Sequence, residues 1–222
     1  MKTTFRLPFF LLAIALTLVT SAEEPQAATQ GIWVIDIDGA IGPATSDYVL
    51  RGIADAEEAD AKLVVLRMNT PGGLDNAMRD IIEAILSSDV PVASYVGPKG
   101  ARAASAGTYI SYASHVAAMA PATNLGAATP VQMGAPTLPS PDQDGSPTQT
   151  DQATAMEKKM VNDASAYIRG LAELRDRNAD WAEAAVREAA SLDAESALAE
   201  NVIDIIATDI PDLLTQLEGL VI

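Results

Sequence analysis

A serine set among residues with almost no side chain is the feature of this sequence best suited to covalent chemistry. In the run Gly100 to Ile110, GARAASAGTYI, Ser105 is surrounded by Ala103, Ala104, Ala106 and Gly107, so backbone or substrate can approach its hydroxyl closely. A turn-to-helix transition at this point leaves amide N–H groups unpaired at a helix start, where developing negative charge is favoured. Upstream, Asn69-Thr70-Pro71-Gly72-Gly73 follows the apolar run Leu63 to Met68 and precedes a helical pattern. Paired glycines after a strand present bare N–H groups that suit a phosphate, a carboxylate or the oxyanion of acyl transfer. Taken singly, each motif fits tight helix packing or a plain βα turn equally well; their combination is what points to chemistry.

A serine nucleophile needs a proton acceptor. His115 is the only histidine, but it lies at the far end of the helix that Ser105 would begin, about 15 Å away at 1.5 Å per residue, and reads as a structural residue at a strand start. The remaining acceptor is a lysine made neutral by burial in an apolar pocket. Lys158 and Lys159 open a helical stretch downstream, and periodicity alone does not choose between them. With no cysteine and one histidine, a thiol nucleophile, a disulfide scaffold and a thiolate metal site are excluded and a zinc site is disfavoured. No cofactor and no metal is expected.

The elements that must hold these residues alternate. Gly31 to Asp38 reads as a buried strand, Ala44 to Ala59 as a helix with Tyr48, Val49, Gly52, Ile53 and Ala56 on one face, and Lys62 to Met68 as the next strand. Leu74, Met78, Ile81, Ile82 and Ile85 recur at helical spacing, Val90 to Val96 forms a third strand, Ser105 to Ser114 a buried helix, and His115 to Ala120 a fourth strand. Continuous apolar strands separated by helices predict an α/β fold of repeated βα units with a mostly parallel sheet covered on both faces. From Ala128 to Ala155 five prolines are mixed with Gly, Ser, Thr, Gln and Asp and no basic residue, which predicts a long loop. A helix follows at Met156 to Leu174 with Met156, Met160, Ala164, Tyr167, Ile168 and Leu171 as its apolar stripe. Helices at Asp180 to Ala190 and Asp193 to Ala199, a strand at Asn201 to Ala207 and a helix at Ile210 to Leu217 complete the pattern.

The first 22 residues have a basic start (Lys2, Arg6), an apolar stretch from Leu7 to Val19 and a small-residue end at Ser21-Ala22, the pattern of a secretory signal peptide. Residues 23–30 then read as a linker and 31–222 as one domain. Over its full length of 222 residues the chain carries 14 basic and 30 acidic side chains, a formal net charge of −16. That balance argues against nucleic acid as a partner.

The two small-residue motifs, together with Ser114-His115, Met119-Ala120-Pro121 and the later Lys159 and Asn162, resemble the Clp-protease/crotonase superfamily. The closer similarity, over Gly31 to Leu217, is to the N-terminal serine protease region of NfeD-type membrane-bound proteases. The resemblance implies a Clp-protease/crotonase-like fold and a serine endopeptidase with a Ser-Lys dyad, in which Ser105 is the nucleophile and Lys159 the general base. It also implies an oxyanion hole from the backbone N–H groups of Gly73 and Ala106. Its substrates would be apolar segments of membrane-associated proteins such as stomatin-like partners, its site of action the periplasmic or extracytoplasmic face of a membrane, and its state a homo-oligomer, dimer or larger. Two other classes share the fold. A crotonase-like acyl-CoA enzyme would be separated from its substrate by export and lacks a basic patch for phosphates, whereas a non-catalytic binding module would use Ser105 only for packing.

Overall fold

The computed structural model describes residues 31–131 and 148–219; the expected signal peptide and linker lie outside them. Five parallel strands form the main sheet in the order β1-β2-β3-β5-β8: β1 (Ile32–Asp38), β2 (Leu63–Asn69), β3 (Val92–Val96), β5 (Val116–Met119) and β8 (Ile205–Ile206). A smaller sheet joins β4 (Arg102–Ala104) to β6 (Asn124–Gly126) in parallel and β6 to β7 (Ser191–Asp193) antiparallel. The helices are α1 (Pro43–Glu58), α2 (Asp75–Ser87), α3 (Ala106–Ala113), α4 (Thr148–Leu174), α5 (Ala179–Arg187), α6 (Ala194–Ala199) and α7 (Ile210–Leu217).

Alternation along each strand sends successive side chains to opposite faces, and the chain covers both. Ile35, Ile37, Leu66, Met68, Val92, Val96 and Met119 point into the larger core, where they meet Val49 and Ile53 of α1, Ile81, Ile82 and Ile85 of α2 and Ile110 of α3. Leu63, Val65, Ala93, Tyr95, Val116 and Ala118 pack on the other face, against Leu213 and Leu217 of α7. This two-sided burial explains why the central strands read as unbroken apolar runs.

The expected order of βα units is present, with several differences. The long loop was expected to reach Ala155, yet α4 begins at Thr148; part of the expected loop is therefore helix, while residues 132–147 lie outside the described region. Tyr48 and Met156, placed on apolar stripes by their spacing, are exposed. Asn201 to Ala207 contributes only the short β8; Val202 and Ile203 are buried outside any strand. The small sheet was not anticipated, and it is what brings the two glycine- and alanine-rich motifs together.

Candidate active site

Ser105 stands between β4 and α3, at the N-cap of the helix, with φ 52° and ψ −115°. That left-handed conformation is strained for a residue with a Cβ and is stabilised only by firm surroundings. The surroundings are visible in the backbone: the Ser105 N–H donates to the Gly126 carbonyl at 2.9 Å and its carbonyl accepts from Thr108 N–H at 2.9 Å. Thr108 Oγ1 in turn lies 2.9 Å from the Ala103 carbonyl and accepts the Gly126 N–H at 3.0 Å. An N-cap serine ordinarily spends its hydroxyl on a first-turn N–H. Here it makes no such capping bond, and the Ser105 hydroxyl has no hydrogen-bond partner among the described residues.

The second motif is laid directly against this serine. Thr70 N–H donates to Arg102 O at 2.7 Å and Ala104 N–H to Thr70 O at 3.1 Å, so the end of β2 is stitched alongside β4. Thr70 Oγ1 accepts the Gly72 N–H at 3.0 Å. A Cβ on Gly72 would come within 2.7 Å of Ser105 Cβ, and one on Gly73 within 2.0 Å of the Ile41 carbonyl; only glycine permits either approach. Ile41 N–H donates to Gly72 O and Leu74 N–H to Ile41 O, both at 2.9 Å. This bridge uses the groups on either side of the Gly73 N–H and leaves that N–H without an acceptor among the described residues. Ala106, the first residue of α3, has no intrahelical acceptor for its N–H.

Gly73, Ser105 and Ala106 share one cleft of about 690 Å³, walled by Ile41, Leu74, Met78, Tyr109, Val131 and Ala164. Burial pushes the Tyr109 phenol well above its ordinary pKa, so it stays protonated and faces the Ala128 carbonyl at 3.4 Å. The walls are thus mostly apolar, with the Asp75 carboxylate among them, around one free hydroxyl and two free N–H groups, an arrangement able to hold an extended apolar segment and to receive charge developing on a carbonyl oxygen.

The structure brings together three of the four residues singled out by sequence. The fourth, Lys159, stands on α4 and is exposed; it does not line the cleft, contrary to the expectation of a buried base. Helical geometry accounts for this: at 100° per residue, Lys159 falls on the side of α4 opposite Val161, Ala164, Ile168 and Ala172, which pack into the core. His115 is a structural residue, as its position suggested. Its Nδ1 accepts the Val92 N–H at 3.1 Å, at the start of β3, whereas Ser105 adjoins the end of β2, so the two lie at opposite ends of neighbouring parallel strands.

Burial and the neighbouring Arg175 guanidinium lower the His115 pKa below its ordinary 6.5. A depressed histidine pKa means that the unfolded chain binds the proton more readily, so this contribution is fully present above about pH 6.5 and is lost as pH falls from there toward the folded value. Denaturant unfolding at pH 7.5 and 5.5 should show that loss, and His115→Asn should reduce the difference. An unchanged difference in the variant would mean that other groups carry it.

Two arginines that sequence reasoning missed frame the site. Arg177 is buried; its Nη1 donates to the carbonyls of Ser111 (2.9 Å), Tyr112 (3.2 Å) and Ser114 (3.0 Å), and its Nη2 pairs with Asp204. It caps the end of the helix that Ser105 begins. Arg79 lies between α2 and α4, bonded to Asp75 and Asp163. No single sequence signal marks Arg177, whereas Asp75 and Arg79 stand at the i,i+4 spacing of a helical ion pair.

A ClpP/crotonase-like α/β fold with a serine at a strained strand-to-helix turn, beside a glycine-lined cleft, defines the class to which this protein belongs. Within it, residues 31–217 match the family model described as NfeD1b, N-terminal domain, and the chain belongs to that family. Membrane-bound protease PH1510 of Pyrococcus horikoshii is 39% identical over 196 residues, covering 88% of this chain and 42% of that protein; the chain thus spans less than half of that relative's length. Among solved structures, a mutant of the 1510-N membrane-bound stomatin-specific protease superposes with a TM-score of 0.74 at 38% identity, covering 86% of both chains. Another mutant of that protease, in complex with a substrate peptide, gives the same TM-score and identity over 86% of this chain and 81% of that one. The relatives are membrane-bound proteins by name; among the described residues here, no helix is long and apolar enough to cross a membrane.

Proposed function

We propose that this chain is an exported serine endopeptidase that cleaves apolar segments of membrane-associated polypeptides, with a stomatin-like protein as the substrate class. The observation that carries the reading is the Ser105 hydroxyl, held at positive φ without a partner, opening on the apolar cleft that also receives the free N–H groups of Gly73 and Ala106. The similarity to a stomatin-specific protease supports the substrate class.

In this mechanism Ser105 Oγ attacks the scissile carbonyl carbon while the Lys159 amine takes the hydroxyl proton. The carbonyl oxygen becomes the oxyanion and receives the N–H groups of Gly73 and Ala106. Collapse breaks the C–N bond, and Lys159 returns the proton to the departing amine, leaving an acyl-Ser105 ester. Water, deprotonated by Lys159, then releases the acid and regenerates the hydroxyl. An amine accepts a proton only when neutral, so this role requires α4 to bring Lys159 from its exposed position to the cleft, where the apolar walls and a bound polypeptide would desolvate it.

Cleavage of a quenched-fluorescence peptide with an aliphatic centre tests the assignment of the base. Lys159→Ala should lower kcat on the order of 10³-fold or more, whereas Lys158→Ala and His115→Ala should retain substantial turnover. Full activity in Lys159→Ala, or its loss in His115→Ala with folding intact, would overturn the dyad.

A further inference from the structure

We propose that Arg79 is a positioning residue that pins α4, and with it Lys159, to the helices that begin at the two halves of the site. The inference rests on the protease reading and concerns how its base is held. Arg79 Nε donates to Asp75 at 2.8 Å and Nη2 to Asp163 at 2.8 Å, while the guanidinium carbon lies 4.3 Å from the centre of the Tyr167 ring. Tyr167 stacks on Tyr109 of α3 with ring centres 6.1 Å apart. One guanidinium therefore ties three elements: α2 through Asp75, α4 through Asp163 and Tyr167, and α3 through the tyrosine pair.

The placement of those partners gives the clamp its consequence. Asp75 opens α2 two residues after Gly73 and itself lines the cleft. Tyr109 stands in the first turn of α3, directly after Ser105, and also lines the cleft. Asp163 follows Lys159 at i+4, on the same side of α4. Val161, Ala164 and Ile168 set the phase of α4 against the core; Arg79 adds a polar tie on the side of the helix that bears Lys159, joining Asp163 to the start of α2. A lysine could not replace it fully, because an ammonium lacks the planar fork that holds two carboxylates and stacks on an aromatic face. Both carboxylates and part of Arg79 are exposed, so the clamp contributes modestly to stability. Its effect is geometric, and a misplacement of about 1 Å at a reacting group can cost on the order of 10²-fold in rate.

The test uses the full chain with Arg79→Met, which keeps length and removes the fork, and Arg79→Lys. Hydrogen exchange should be several-fold faster in Arg79→Met at amides 155–167 of α4, with α3 unchanged. Cleavage of the same peptide should show kcat lowered on the order of 10- to 100-fold with KM within about twofold, and Arg79→Lys should recover part of the loss. Unchanged exchange in α4 would overturn the clamp whatever the activity. Faster exchange with unaltered kcat, in a protein whose cleavage depends on Ser105, would overturn its role in positioning the base. Wild-type protein without Ser105-dependent cleavage would overturn the protease reading instead, and exchange alone would then decide whether the clamp exists.

Discussion

Replacing Ser105 by alanine should abolish peptide cleavage, with kcat falling on the order of 10⁵- to 10⁶-fold as for loss of an activated nucleophile, while the fold is retained. The change removes one oxygen that has no hydrogen-bond partner among the described residues. The backbone bonds that fix the turn, from Ser105 N–H to Gly126 O and from Thr108 N–H to Ser105 O, do not involve the side chain. Alanine also tolerates φ 52° no worse than serine, since both carry one unbranched Cβ. The thermal midpoint should therefore move by no more than a few degrees. Residual cleavage would come from the cleft and its two N–H groups acting on water without a covalent step. The measurement is peptide hydrolysis by the wild type and the variant, each checked by a melt, with a serine-directed fluorophosphonate as a second reporter on the hydroxyl. Equal turnover in the two proteins would end the proposal that Ser105 is the nucleophile. Loss of turnover with a melt lowered by tens of degrees would assign the residue a structural part.

The parallel sheet was legible because its strands are buried on both faces, which writes itself into the sequence as short apolar runs between helical periods. Ile210–Leu217 was recovered with both ends correct, since Asp209 caps it and Pro211 sits in its first turn. The small sheet left no such trace: Arg102–Ala104 and Asn124–Gly126 are three residues each, poor in β-branched side chains, and become strands through pairing with each other, with Thr70 on the side of Ala103 and with Ser191–Asp193 on the side of Asn124–Gly126. The early start of α4 was hidden by composition. Thr148 to Ala155 is as polar as the proline-rich stretch before it. In the candidate site, the small-residue motifs around Ser105 and Gly73 stand out in the sequence because close approach demands small residues, and the two are laid against each other in the fold; the oxyanion role of Gly73 and Ala106 came from family resemblance. Lys159 came from family resemblance, and its exposed placement on α4 follows from a helix phase that is set by Val161, Ala164 and Ile168. The parts played by Arg79 and Arg177 depend on partners far away in sequence, Asp163 for one and Asp204 for the other, and no local pattern encodes such pairings.

Arg177→Met should produce the largest loss of stability of any single polar substitution considered, about 3–5 kcal/mol, read as a fall of roughly 10 °C or more in the melting midpoint for a domain of this size. An α-helix ends with carbonyls that have no intrahelical donor. At the end of α3 those of Ser111, Tyr112 and Ser114 are turned inward, where water cannot serve them, and the Arg177 guanidinium is their donor. Methionine fills much of the same volume, so the variant isolates the loss of charge and hydrogen bonds from the making of a cavity. Each buried carbonyl left unpaired costs about 1–3 kcal/mol. Asp204 is partly relieved, because it is about one-third exposed and keeps the Ala117 N–H at 2.7 Å. Arg177→Lys should rescue little, since one ammonium cannot span three carbonyls and a carboxylate in the plane of a guanidinium. Activity should fall with stability, because α3 is fixed at this end and carries Ser105 at the other. A melt of Arg177→Met within two degrees of wild type would show that water or a shifted backbone serves those carbonyls, and that α3 is held by its apolar contacts alone.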